Sequence, residues 1–425
     1  MTWAQRAIWN RVRHEYHAPE SLSGIRVVAL PAAPLATVRA ALAAMVEEHD
    51  IFRTIFRPTA GQDLEQVVEP AGPVPLSVVE TAAADSEALR DLLLARKPEV
   101  GDPTSGEYLY RLVIQTHGGE ACHVGMLISK FLIDAAGLDT LTDDLLARLG
   151  GASMTPRRDC WQPLDQALFE TGPVGVARNA RAVTYWRQHF TRSVREQELR
   201  TVARDREPCF RQGVLVCDAA DLSLETLAAR YGVSRSAALL AAFSLLLTEL
   251  TGSDTAFLEV ISSSQANPRV PAVGRYATNG PFLLTVAPGS VAQLLTASAA
   301  ALLRAVRYTL YDPHAVDELH DEISADGHGR VLRCFFVNDV AGTRPSTAAP
   351  PRPPAFSWGV VAPAGDSRLH LTAIRSDGGF RFELFADNGF LTDAELERLL
   401  LDLVGVLGAL SALDAGDPVP EPVRS

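Results

Sequence analysis

The chain has 425 residues, 47% of them hydrophobic and 21% charged, enough to bury a large core and more than one core usually serves, so two lobes are expected. Its formal net charge of −12, with no cluster of Lys and Arg, excludes the positive face through which proteins hold nucleic-acid phosphates. The most apolar run, Ser236 to Leu247, is shorter than the roughly 20 residues of a membrane-spanning helix and reads as a buried helix, so no membrane partner is expected.

The start, Met1-Thr2-Trp3-Ala4-Gln5-Arg6, lacks the basic, apolar and small-residue regions of a signal peptide. Export is not expected. The five cysteines, Cys122, Cys160, Cys209, Cys217 and Cys334, show no CxxC or Cys/His spacing, which predicts neither a disulfide framework nor a zinc site and suits a reducing cytoplasm. All but two of the 39 basic residues are arginine, and the exceptions are Lys97 and Lys130.

In chain order, Gly24 to Leu30 reads as a strand, Leu35 to His49 repeats apolar residues at helical spacing, and Glu65 to Val68 is again extended. Tyr108 to Gln115 and Cys122 to Ile128 predict a hairpin across the turn His117-Gly118-Gly119-Glu120. Leu138 to Leu149 has helical periodicity, which leaves Ser129 to Gly137 as the connection at the end of a central strand, a usual place for chemistry. Gly150 to Pro173 is punctuated by Pro and Gly, a helix is expected from about Ala177 to Thr191, and the lobe boundary falls near 172–174, giving lobes 1–173 and 174–425. The second half restarts with a strand at Gly213 to Cys217, helices at Ser223 to Tyr231 and Ser234 to Thr251, and a strand at Thr255 to Ser262. The Pro-rich stretch Thr343 to Pro354 reads as a surface linker, and Thr392-Asp393 starts a closing helix over Leu391 to Leu410. The fold class is α+β.

Several separated blocks carry a family resemblance across nearly the whole chain. Thr2-Trp3-Ala4-Gln5-Arg6-Ala7-Ile8-Trp9 is similar to an SxAQxRLW block, and Glu48-His49-Asp50-Ile51-Phe52-Arg53-Thr54-Ile55-Phe56 to an RHExLRTxF block. Tyr185-Trp186-Arg187, the run from Gly232 through Asp254, Asn267-Pro268-Arg269 and Gly274 with Thr278-Asn279 follow in matching order, the last partly scrambled. The chain thus resembles the condensation domains of nonribosomal peptide synthetases, as a free-standing relative. The resemblance implies two chloramphenicol-acetyltransferase-like lobes arranged in a V with a central tunnel, where carrier-tethered acyl donor and acceptor meet at an HHxxxDG motif and proximity supplies much of the rate. It implies as partners a peptidyl or acyl carrier protein, a small-molecule intermediate and a further biosynthetic enzyme. No cofactor or metal resident in the chain is expected, a phosphopantetheine arm arriving on the carrier, and a monomer is the simplest state.

The matching segment here is Ser129-Lys130-Phe131-Leu132-Ile133-Asp134-Ala135. Ser129 and Lys130 replace the two histidines, Asp134 keeps the aspartate, and Ala135 replaces the glycine. In the family the aspartate is structural, bracing an arginine, which makes Arg269 the expected partner and Arg275 the second choice; a buried ion pair needs such satisfaction. Ala135 would resist a backbone that needs positive φ, so a different loop is expected. An ordinary lysine is protonated at neutral pH and cannot serve as a base. Desolvation could neutralise Lys130 as base or nucleophile. Protonated, it could stabilise an oxyanion or hold a carboxylate. It could also simply pair with Asp134 or another acid. Ser262, Ser264, Tyr276, Thr278 and Asn279 are candidates to line the tunnel, whereas His49 and His123 read as structural, and Asp312, His314 and Asp317 have no metal spacing. Three functions stay open: atypical acyl transfer, amide or ester formation or cyclisation; an inactive adaptor that binds a carrier protein or recruits a tailoring enzyme; and, less favoured, an acyl-CoA-type acyltransferase.

Overall fold

The computed structural model describes the chain except residues 15–21, 62, 71–73, 194, 196–197, 205–206, 208, 327–328, 332, 334, 342–352, 363–366, 377–378 and 420–425, so most of the Pro-rich 343–354 stretch lies outside the described residues. The chain divides into two compact units, Met1–Ala177 with Ser264–Ala277, and Arg178–Ser263 with Thr278–Ser425.

The first unit comprises α1 (Trp3–His14), β1 (Ser23–Pro34), α2 (Leu35–Glu48), β2 (Thr54–Pro58), β3 (Leu64–Val68), β4 (Leu76–Glu80), α3 (Ser86–Ala95), β5 (Tyr110–His117), β6 (Glu120–Ser129), α4 (Ala135–Leu149) and α5 (Pro163–Thr171). The expected hairpin is β5–β6, antiparallel across a turn in which Gly118 and Gly119 take φ of 60° and 84°, a conformation that costs glycine nothing. They sit centrally in a four-stranded sheet ordered β1-β6-β5-β4, while β2 and β3 form a separate antiparallel pair. Central placement explains the composition of β6: Val124, Met126, Leu127 and Ile128 are all fully buried, as a strand covered on both faces requires.

The segment 264–277 leaves and re-enters the second unit between two of its strands yet belongs to the first. It is held there along its whole length. Gln166 on α5 donates to Ser264 O at 3.1 Å and accepts from Ala266 N at 2.9 Å, and Trp161 N donates to Pro271 O at 2.8 Å. Glu170, 1% exposed on the same helix, accepts from Gln166 Nε2 at 2.9 Å and from Trp3 N at 2.6 Å, which ties α1 into this knot. The expected boundary at 173/174 would put 264–277 with the second lobe; these hydrogen bonds hold it in the first.

Helix α6 (Pro173–Phe190) carries the chain onward, starting earlier than expected because Pro173 suits a first helical turn. The second unit holds β7 (Phe210–Val216), α7 (Asp218–Tyr231), α8 (Arg235–Thr251), β8 (Thr255–Ser263), β9 (Ala277–Thr285), α9 (Val291–Arg307), α10 (Pro313–Ser324), β10 (Phe335–Asp339), β11 (Ala355–Ala362), β12 (Leu369–Ser376), β13 (Gly379–Asp387) and α11 (Asp393–Ala412). Its seven-stranded sheet is ordered β11-β7-β13-β12-β10-β8-β9. Helix α8 is apolar on every side because residues 237–247 are all buried; Ser234 caps its start, accepting from Ala237 N, and Gly252 ends it at φ 68°. No single helix among the described residues is long and apolar enough to cross a membrane, and α7 and α8, which reach that length together, are bent by 109°. Cys122, Cys160, Cys209 and Cys217 are free thiols.

Candidate functional site

The motif segment begins on β6, whose last residue, Ser129, is fully buried. Its Oγ accepts from Phe131 N at 3.4 Å and its carbonyl accepts from Leu132 N and Ile133 N, so the serine closes a turn with its own loop. Phe131, Leu132 and Ile133 are buried as well, Phe131 lying edge-on to Trp9 with ring centroids 6.3 Å apart. Between these core residues Lys130 is exposed, and its N–H donates to Leu22 O. Burial, the condition for a neutral lysine base, is not met by this side chain.

Asp134 is the N-cap of α4. Its Oδ1 accepts from Gly137 N at 3.0 Å, and its Oδ2 accepts from both Tyr276 N at 2.9 Å and Ala277 N at 2.8 Å. Its own N–H donates to Gly274 O at 3.1 Å. The expected ion pair with Arg269 is therefore corrected. Arg269 is exposed, and the carboxylate is directed at backbone N–H groups of the 264–277 segment. Three charge-assisted bonds satisfy it as a guanidinium would. Arg275 is the arginine in its field: burial lowers the guanidinium to about 10, Asp134 opposing that and Arg11 adding to it, and Arg275 Nε has no hydrogen-bond partner.

Ala135 is the first residue of α4 and exposed, in a right-handed helix, so no left-handed backbone is asked of it. The glycine this loop needs lies two residues on. A Cβ on Gly137 would stand 2.6 Å from Ile133 Cγ1 and 3.3 Å from Gly274 O.

The proposed lining residues are bound into their own units. Ser264 is buried and donates through N–H and Oγ to Tyr276 O, each at 2.7 Å. Tyr276 donates from its hydroxyl to Trp161 O at 3.3 Å, and burial raises that phenol above its ordinary range. In the second unit Thr278 donates to Thr309 O at 2.7 Å, and Asn279 donates to Glu259 Oε2 at 2.9 Å. Glu259, fully buried on β8, also accepts from Arg333 Nε at 2.8 Å. Ser262 is half-buried on β8. His123 is buried, with Nδ1 2.7 Å from Gln115 Oε1.

Sequence reasoning missed two features. One is the pair of backbone N–H groups at Tyr276 and Ala277, which no side-chain pattern signals. The other surrounds Glu48 and His49 at the end of α2. Glu48 is fully buried yet accepts from Arg148 and from Arg157 Nε at 2.7 Å; burial alone would raise its carboxyl, and the backbone and side-chain hydrogen bonds from Arg157, with the nearby His49, hold it down to about 2. His49, 1% exposed, has no hydrogen-bond partner at either ring nitrogen. Cys160, distant in sequence, donates to Glu48 Oε1.

No family model and no curated protein matches the sequence. Solved structures do. A condensation domain that mediates chain release from the enacyloxin polyketide synthase is 19% identical with a TM-score of 0.71, over 98% of this chain and 84% of that one. The SgcC5 protein of Streptomyces globisporus is 18% identical with a TM-score of 0.70, covering 98% of this chain and 99% of its own. The X-domain from teicoplanin biosynthesis is 18% identical with a TM-score of 0.69, covering 99% and 96%. The chain therefore has the condensation-domain fold shared by the condensation and X-domains of natural-product synthetases.

Proposed function

We propose that this protein acts in natural-product biosynthesis on an acyl or aminoacyl intermediate, carrier-tethered or small, and that Lys130 serves there as a fixed positive charge rather than as a base. The observation that carries this reading is the exposed Lys130, with buried residues on both sides of it, at the motif position where condensation domains hold a histidine. An ammonium at that place can stabilise the oxyanion that develops when a thioester carbonyl is attacked, or hold the carboxylate of the intermediate, neither of which needs it to lose a proton. The carrier would bring the phosphopantetheine arm, and the free thiols suit a reducing, cytoplasmic setting.

A second reading has its own support. Neither motif position offers an imidazole, and Ser129 is closed into its loop, so the proton transfer usual in condensation has no acceptor there. The teicoplanin X-domain, a structural neighbour at 19% identity and TM-score 0.68, forms a complex with OxyB. On this reading the chain is an adaptor for a carrier protein or a tailoring enzyme.

One experiment separates the two. The carrier proteins and tailoring enzymes encoded near this chain are loaded and incubated with wild type and Lys130→Met, and the tethered intermediates are weighed by mass spectrometry. A mass change made by wild type and reduced at least about 100-fold in Lys130→Met, the size of a lost oxyanion contact, supports the enzyme. Tight binding with no mass change supports the adaptor. Full turnover in a folded Lys130→Met removes the role given to the lysine.

A further inference from the structure

Glu48, His49 and Cys160 converge in the first unit, all buried, with one donor atom from each lying within 4.8 Å of the others. His49 Nε2 is 3.5 Å from Glu48 Oε1, and Cys160 Sγ is 3.4 Å from the same oxygen. Bonds of about 2.0–2.3 Å meeting at a tetrahedral ion place its ligands about 3.3–3.6 Å apart, so both measured separations are edges of such a polyhedron. The unpartnered histidine is the independent sign. A buried imidazole with no hydrogen bond at either nitrogen forgoes contacts that buried polar groups almost always make, and here Nε2 stands beside a carboxylate oxygen, with the thiol within 4.8 Å of a ring nitrogen.

We propose that Glu48, His49 and Cys160 form a binding site for a divalent cation of the zinc class, to which a mixed N, O and S donor set is suited. Binding replaces the thiol proton, which leaves to solvent: the lone pair of Glu48 Oε1 that now accepts from Cys160 Sγ turns to the metal, the thiolate binds it, and His49 Nε2 adds the third bond. The bonds that Glu48 accepts from Arg148 and Arg157 remain and orient the carboxylate, as partners behind a metal ligand do. Asp144 offsets the second arginine, so the new thiolate is the charge that answers the cation. Three protein ligands leave one position for water. The site would pin the chain around Cys160 to the end of α2.

The test is titration of chelator-stripped protein with Co²⁺ as a spectroscopic probe and with Zn²⁺ in competition. One equivalent per chain is expected, with tetrahedral d–d bands and thiolate-to-cobalt charge transfer that Zn²⁺ abolishes, and with a rise in the thermal midpoint. In Cys160→Ser, which keeps a hydrogen bond to Glu48, the charge-transfer band should vanish and affinity should fall at least about tenfold, the range seen when a contact to a metal site is lost. His49→Gln, checked for folding by circular dichroism, should weaken uptake while keeping the thiolate band. Absence of stoichiometric uptake by wild type, or uptake unchanged in Cys160→Ser, would overturn the assignment and leave the cluster a buried charge network.

Discussion

Asp134 shows how a conserved-looking acid can keep its place in a motif and change its partner. In sequence it invites an arginine; in the structure it accepts three backbone N–H groups, one from the helix it caps and two from the returning segment at Tyr276 and Ala277. Removal of the carboxylate in Asp134→Ala takes away a helix cap, worth about 1 kcal/mol, and strands further N–H groups, each costing about 1–3 kcal/mol when buried. Urea denaturation should show a loss of roughly 3 kcal/mol. Asp134→Asn should lie between this and wild type, because its amide NH₂ opposes one set of donors. Arg269→Ala, at an exposed position, should change stability by less than about 0.5 kcal/mol, whereas the ion pair expected from sequence would require much more.

At the scale of the element, β6, its turn and α4 form one continuous piece whose register was legible in sequence, because the apolar strand run ends at Ile128 and helical periodicity resumes by Leu138. The position of the glycine was not legible. Gly137 packs against Ile133 and Gly274, the latter far away in the chain, so its need for a bare Cα arises only on assembly. Gly137→Ala should lower the thermal midpoint by an amount equivalent to roughly 1–2 kcal/mol, the overpacking outweighing the gain in helix propensity. Ala135→Gly, which restores the family's residue at an exposed first helical position, should cost at most about 1 kcal/mol and recover no motif-specific property.

For the molecule as a whole, the unit boundaries depend on the knot of Gln166 and Glu170, which binds α1, α5 and the 264–277 segment into the first unit. Burial pushes the Glu170 carboxyl from 4.5 up to about 7, against the bonds from Gln166 and Trp3. A carboxyl whose folded value is raised holds its proton more tightly when folded, so its contribution to stability is complete below about pH 4.5 and is lost as pH rises through about 7. At about 1.4 kcal/mol per pH unit, roughly 3 kcal/mol is lost between about pH 4 and about pH 8. Glu170→Gln, which keeps the acceptor for Trp3 N, should flatten that slope in urea midpoints measured across the range. An equally steep slope in the variant would assign the effect to another group.

Most elements were readable because their signals are local: the Gly-Gly turn, the Ser234 cap, the all-apolar α8 and the capping pair Thr392 and Glu395 each act within a few residues. The block order likewise pointed to the condensation fold, and Lys130 stood out as one of two lysines. What a side chain in the site touches was decided by tertiary structure alone. Asp134 meets residues 142 and 143 positions away, and Cys160 meets Glu48 across 112, separations over which spacing carries no information. Local propensity is a property of neighbours in the chain, whereas satisfaction of a buried charge is a property of neighbours in space, and only packing brings those together.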